Sequence, residues 1–111
     1  MPQDWSDYER VHANRRNLRI HLLAVPLFDI SFAAALIFLA SANFLAAIIS
    51  FLAAFVSMIL QGIGHSKEAI EPRPFEGPLD FLQRWFAEQY FTFPMFVLAG
   101  RWLRQYKAAV S

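Results

Sequence analysis

The chain has 111 residues, of which 57% are hydrophobic and only 17% are charged. Soluble domains carry about 25% charged residues, so the deficit favours a membrane protein of a single domain. The formal net charge of +1 is too balanced for a nucleic-acid-binding protein. The absence of cysteine excludes disulfides and zinc–thiolate sites, so a bound metal must use His, Asp, Glu, Asn or Gln ligands.

The N-terminal segment is polar and rich in charge over its first 19 residues. A cleavable signal peptide would place an apolar stretch of about 7–15 residues there. We therefore expect the chain to insert through its internal apolar segments.

The middle of the chain contains no Asp, Glu, Lys or Arg from Ile30 to Ser66. This run is too long for one bilayer span of about 20 residues. Its most polar point is Ser41-Ala42-Asn43, so we predict a helical hairpin with its apex there. The first helix runs from about Arg15 to Ala40, with its membrane span at about 18–40, and the second span covers about 44–63. Two successive helices without a polar face are typical of membrane spans.

Positive residues flank the open end of this hairpin, and none lies at its apex. They are Arg10, Arg15, Arg16 and Arg19 before the first helix, and Lys67 and Arg73 after the second. The positive-inside rule then predicts that both ends of the hairpin face the cytoplasm.

The remainder of the chain is more varied. Three prolines predict a loop at 66–78, and apolar residues at helical spacing predict an amphipathic helix at 79–89. The segment 90–107 contains Pro94, and its apolar part is short for a span, so we predict a kinked, membrane-associated helix. The predicted fold is thus an all-α, polytopic membrane protein forming one membrane-embedded domain over residues 1–111.

All three histidines, His12, His21 and His65, fall near the open end of the hairpin. His21 and His65 are each 22 positions from Asn43. At a rise of about 1.5 Å per residue, both return to the same depth on adjacent antiparallel helices. Asn14 is a plausible N-cap of the first helix, which leaves His12 just outside it. Neutral imidazole is a good ligand of iron, copper, nickel and zinc, so the three histidines could form a metal site. Alternatively, histidines at a membrane interface can simply face water.

Other polar residues share a helix face with these histidines. Asn17 lies four positions before His21, and Gln61 lies four positions before His65. Glu68 follows His65 by three positions and can reach the same region if the helix continues for another turn. An unpaired amide such as that of Gln61 is costly in lipid, so we expect it to have a partner.

Two segments resemble the signatures of the family of Fe(II)-dependent 2-hydroxy fatty acid dioxygenases. The first is H-A-N-R-R-N-L-R-I-H-L-L-A-V-P-L, with His12, Asn14, Asn17, His21 and Pro26 at the family's spacing. The second is Q-G-I-G-H-S-K-E, from Gln61 to Glu68, with its Gly-His pair closing a membrane helix. The similarity extends over about residues 8–104. The family's acidic residue commonly follows the second histidine by four positions, whereas Glu68 follows His65 by three.

The resemblance implies a reaction and a site. A 2-hydroxy fatty acid is shortened by one carbon with O2 as co-substrate, a step of α-oxidation, at an Fe(II) ion held by His12, His21 and His65. Asn14, Asn17, Gln61 and Glu68 would support the ligands. The cations Arg16, Arg19 and Lys67 would pair with the substrate carboxylate, or would only set the topology. The short chain and the resemblance together suggest a bacterial inner membrane.

Two other hypotheses remain open on the residues alone. The chain could be a non-enzymatic membrane hairpin that scaffolds a partner or shapes the bilayer, as long apolar hairpins with an amphipathic helix do. It could also use the same histidines for another metal-dependent reaction, such as hydrolysis. The sequence leaves open whether the protein is a homo-oligomer.

Overall fold

A computed structural model describes residues 5–109, so the two ends of the predicted domain, residues 1–4 and 110–111, lie outside it. Of residues 5–109, 79% are helical and none lies in a strand. The helices are α1 (Trp5–Arg10), α2 (Arg15–Ala40), α3 (Phe44–His65), α4 (Pro78–Ala87), α5 (Phe93–Leu98) and α6 (Arg101–Ala108). A π-helical segment, Glu88–Thr92, joins α4 to α5. The predicted all-α class is confirmed.

Helices α2 and α3 form the predicted hairpin, and each begins at an asparagine cap. The Asn14 side chain accepts hydrogen bonds from the Arg16 and Asn17 backbone N–H groups. The Asn43 side chain accepts one from Ala46 N–H. These bonds satisfy backbone donors that a helix start leaves without partners. Ala42 turns the chain between the helices with a φ of 59°.

Both helices of the hairpin are long and apolar enough to cross a membrane. In the most apolar stretch of 18 residues in each helix, only 28% of the residues of α2 and 22% of those of α3 are buried within the chain. A core helix of a soluble protein would be mostly buried. The exposed surface of the two helices carries large aliphatic side chains, among them Leu23, Ile30, Leu45 and Ile48. This exposure favours lipid as the surrounding medium.

The segment after the loop differs from the predicted pair of helices. The chain remains helical from Pro78 to Leu98 and breaks instead at Gly100, whose φ of 76° lies in the left-handed region. Pro94 does not end the helix because it lies in the first turn of α5, two positions after the π-helical segment, where the regular hydrogen-bond ladder is already interrupted. The predicted helix over 90–107 is therefore two helices, α5 and α6.

Helix α1 was not predicted, and it belongs to the core of the molecule. Tyr8 of α1 is buried together with Leu18 and Val25 of α2 and with Phe93 and Phe96 of α5. Phe96 is completely buried. This cluster fixes the N-terminal segment against the open end of the hairpin, which is where the histidines lie.

Helix α6 lies across the start of the hairpin and holds it by hydrogen bonds to main-chain oxygens. The Gln105 amide donates to Glu9 O at 3.0 Å and to His12 O at 3.1 Å. The Trp102 indole donates to Leu18 O at 3.0 Å. The Arg15 guanidinium donates in turn to Tyr106 O at 3.0 Å. The C-terminal helix thus holds the segment that carries His12.

Candidate metal centre

The three histidines come together at the open end of the hairpin. The His21 and His65 rings are 4.8 Å apart between centroids, so the two residues lie at the same depth, as their spacing from Asn43 predicts. The His12 ring is 4.8 Å from His65 and 5.2 Å from His21. One nitrogen from each ring lies within 4.8 Å of the others.

Hydrogen bonds to backbone carbonyls determine which ring nitrogen of His12 and of His21 carries no proton. His12 Nδ1 is 2.7 Å from Tyr8 O, and His21 Nδ1 is 3.1 Å from Asn17 O. A carbonyl oxygen only accepts, so each Nδ1 must donate its proton, and each Nε2 keeps a lone pair. Metal-binding histidines are commonly oriented in this way.

Burial keeps His12 neutral. Its pKa is held well below the usual value, first by burial and then by the neighbouring imidazoles of His21 and His65. Its Nε2 atom is buried and has no hydrogen-bond partner within residues 5–109, and the same is true of His65 Nδ1. Buried nitrogens left without partners are expensive unless something binds them. A divalent metal fits this donor set, because neutral imidazoles are among its usual ligands and one nitrogen of each ring lies within 4.8 Å of the others.

Glu68 holds the loop that carries His12. Its carboxylate accepts hydrogen bonds from Ala13 N–H at 2.8 Å and from Asn14 N–H at 3.2 Å. It also accepts one from the Asn17 side-chain amide at 2.5 Å. Glu68 therefore ties the segment after α3 to the start of α2, directly beside His12.

Gly64 allows α2 and α3 to approach closely beside this contact. A Cβ atom at Gly64 would overlap Asn17 Oδ1 and lie 3.3 Å from Asn17 Cγ. Asn17 is completely buried and is held by Glu68. Glycine before His65 is thus required by packing, which gives the Gly-His pair a physical reason.

An unpaired amide is costly in lipid, so we expect Gln61 to have a partner. That partner is the buried Gln89 of the π-helical segment. The two amides exchange hydrogen bonds of 2.9 and 2.7 Å. Gln61 also donates to Ser57, which donates to Ala24 O on α2. The network joins α2, α3 and the π-helical segment on the apex side of the histidines.

The three candidate cations differ in their surroundings. Arg19 donates to the Tyr106 hydroxyl at 2.7 Å. Arg16 and Lys67 are exposed. Of the described residues, none forms an ion pair with either of them at 4.0 Å or less.

Sequence reasoning missed two residues beside the histidines, Tyr8 and Glu88. The Tyr8 ring stacks on His12 at 3.9 Å, and its hydroxyl donates to Glu88 Oε2 at 2.8 Å. Burial, with a further contribution from Glu88, raises the pKa of Tyr8, and burial raises the pKa of Glu88 to about 7. The adjacent polar pair Glu88-Gln89 in an apolar stretch was the available signal in the sequence.

The fold and the site define an all-α protein with two apolar helices long enough to span a membrane and a cluster of three histidines, His12 and His21 buried and His65 partly buried, that could hold a metal ion. A family model described as "2-hydroxy-palmitic acid dioxygenase Mpo1-like" matches residues 1–102. The chain belongs to this Mpo1-like family, which confirms the resemblance seen in the two signatures. Searches among curated proteins and among solved structures gave no match.

Proposed function

We propose that this protein is an Fe(II)-dependent dioxygenase that shortens 2-hydroxy fatty acids by one carbon, with O2 as co-substrate. The observation that carries the proposal is the close cluster of three imidazoles, two of them buried, in a chain of this family. The family description favours a redox metal over zinc, which has no redox chemistry.

His12, His21 and His65 would hold the iron. Fe(II), when bound, supplies the redox chemistry through which O2 reacts with the 2-hydroxy acid. The protein supplies neutral nitrogen donors whose orientation is set by Tyr8 O and Asn17 O. The aromatic and aliphatic side chains around the cluster limit the access of water.

The substrate head would enter from the aqueous side of the open end. Arg16 and Lys67 are exposed cations that follow His12 and His65 in sequence by four and two positions. Either can pair with the substrate carboxylate, and both also serve the positive-inside rule. We place this end of the hairpin, with both of its termini, in the cytoplasm, and we place the protein in a bacterial inner membrane as a single membrane-embedded domain.

The substrate tail would occupy an apolar cavity of about 260 Å³ between α2, α3 and α4. Its wall includes Met58 near the histidine end and Phe32 and Phe51 at the apex end. Met58 and Phe51 precede His65 by 7 and 14 positions, or about 10 and 21 Å along the helix at about 1.5 Å per residue. The cavity therefore covers about 10 Å along α3 and would hold the part of the acyl chain farther from the head group.

The cavity predicts a change in chain-length preference. Phe51→Ala removes a ring that packs 6.1 Å from Phe32 and so extends the far end of the cavity. Each newly buried CH₂ contributes about 0.8 kcal/mol, so a substrate two carbons longer should gain about 15-fold in relative kcat/KM. The measurement is competition between 2-hydroxy acids of different length, and Phe44→Ala, which is outside the cavity, is the control. Identical profiles for the two variants would contradict this placement of the tail.

The decisive experiment for the proposed function uses the wild-type protein. It should co-purify with stoichiometric iron under anaerobic conditions and convert 2-hydroxypalmitate, with O2, to the fatty acid one carbon shorter. Zinc in place of iron, with no oxidation, would favour another metal-dependent reaction. Absence of any bound metal from a folded protein would favour the non-enzymatic scaffold.

A further inference from the structure

Glu88 places a largely buried carboxylate against the histidine cluster. Its Oε2 atom lies 3.7 Å from His12 Nε2, and its side chain is only 20% exposed. The distance is too long for a hydrogen bond. Within residues 5–109, neither a lysine nor an arginine lies within ion-pair distance of Glu88.

A carboxylate in such surroundings needs more stabilising partners, cations or hydrogen-bond donors, than Glu88 has. Transfer of an ionised carboxylate from water to an apolar site is costly unless it is paired with a cation or accepts several hydrogen bonds. The Tyr8 hydroxyl supplies one hydrogen bond, at 2.8 Å. Glu88 can avoid this cost either by taking up a proton or by binding a cation on the side where His12 Nε2 points.

The distance fits two ligands of one metal ion. Nitrogen and carboxylate oxygen bind first-row metals at about 2.0–2.2 Å, so two such ligands of one ion lie at most about 4.2 Å apart. The separation of 3.7 Å between Glu88 Oε2 and His12 Nε2 is within this limit. We propose that Glu88 is a fourth ligand, an anionic one, of the metal ion that the three histidines hold. The proposal rests on the metal site of the proposed function.

Tyr8 would then orient two ligands at once. Its carbonyl oxygen accepts from His12 Nδ1, its ring stacks on the His12 imidazole, and its hydroxyl donates to Glu88 Oε2. Carboxylates that bind metals are themselves commonly hydrogen-bonded in this way. Glu88 also begins the π-helical segment, and short π-helical turns are frequent at functional sites.

The ligand assignment is tested with Co(II), which reports its ligands through its visible absorption, bound anaerobically to the full chain in detergent. Glu88→Gln should weaken Co(II) binding at least about 10-fold in competition with a chelator, and should shift the absorption bands. Glu71→Gln, at an exposed glutamate of the loop, is the matched control and should leave affinity and spectrum unchanged. Tyr8→Phe should weaken binding while keeping the band positions, because the carboxylate remains a ligand.

Wild-type affinity and spectrum in a folded Glu88→Gln variant would overturn the assignment and leave the proposed function standing. Equal band positions in Glu88→Gln and Tyr8→Phe would also overturn it, since Glu88 would then act only through Tyr8. If Glu88→Gln does not fold, the wild type decides: metal binding should shift the infrared carboxylate bands of a protein with isotopically labelled glutamate. No shift would refute the proposal. A wild type that binds no metal at all would refute both this proposal and the proposed function.

Discussion

Alanine in place of His12, His21 or His65 is expected to remove iron from the purified protein and to abolish oxidation of 2-hydroxypalmitate. Each variant takes away one of three nitrogen donors that lie within 4.8 Å of one another. Loss of groups that merely orient a ligand costs about 10- to 100-fold in metal affinity, so loss of a ligand should cost more. The measurement is iron per chain after anaerobic purification, followed by product formation.

The control for the histidine variants is Gln83→Ala, which truncates an exposed side chain of α4 and should keep full iron. Helix content and elution volume in detergent establish that each variant is folded. Undiminished iron in all three histidine variants would refute the ligand assignment. A selective loss in only one or two of them would identify the true ligands.

Gly64→Ala is expected to destabilise the protein and to lower its iron content, whereas Gly62→Ala is expected to do neither. A Cβ at Gly64 would overlap Asn17 Oδ1, while a Cβ at Gly62 meets nothing within 4 Å. Overpacking in a close-packed region costs about 1–3 kcal/mol. Displacement of Asn17 would also break its hydrogen bond to Glu68, the residue that holds the His12 loop.

The two glycine variants add the same methyl group to the same helix, so thermal unfolding in detergent separates packing from helix propensity. Alanine is the better helix former by about 1 kcal/mol, which should make Gly62→Ala neutral or slightly stabilising. Equal effects of both substitutions on unfolding and on iron content would show that the contact between Gly64 and Asn17 is unimportant.

The hairpin could be predicted because its signals are local. The absence of charged residues from Ile30 to Ser66 predicted the two apolar helices, and Asn43 marked the predicted apex. Counting from that apex was enough to bring His21 and His65 to one depth, since a straight helix converts sequence distance into length. The Asn14 cap likewise follows from the chemistry of its own side chain.

The surroundings of the histidines depend on pairings between distant segments, and these leave little trace in one sequence. Tyr8 meets Glu88 across 80 positions, and Gln61 meets Gln89 across 28. Glu68 was singled out by its closeness to His65, but its partners, Ala13 N–H and Asn14 N–H, lie at the start of another helix. Helix α1 was missed because six residues carry too short a pattern to be distinguished from a loop.

The hydrogen bonds from the Gln105 amide to Glu9 O and His12 O affect the order in which the molecule folds during its synthesis. A ribosome delivers the N-terminal segment first, and the hairpin can insert long before α6 has been synthesised. Until Gln105 and Glu88 emerge, the segment bearing His12 lacks two of its anchors, so the proposed ion-binding pocket is completed only after α6 has been synthesised. A nascent chain arrested within the α4–α5 region should therefore be inserted in the membrane and yet remain unable to retain a metal ion.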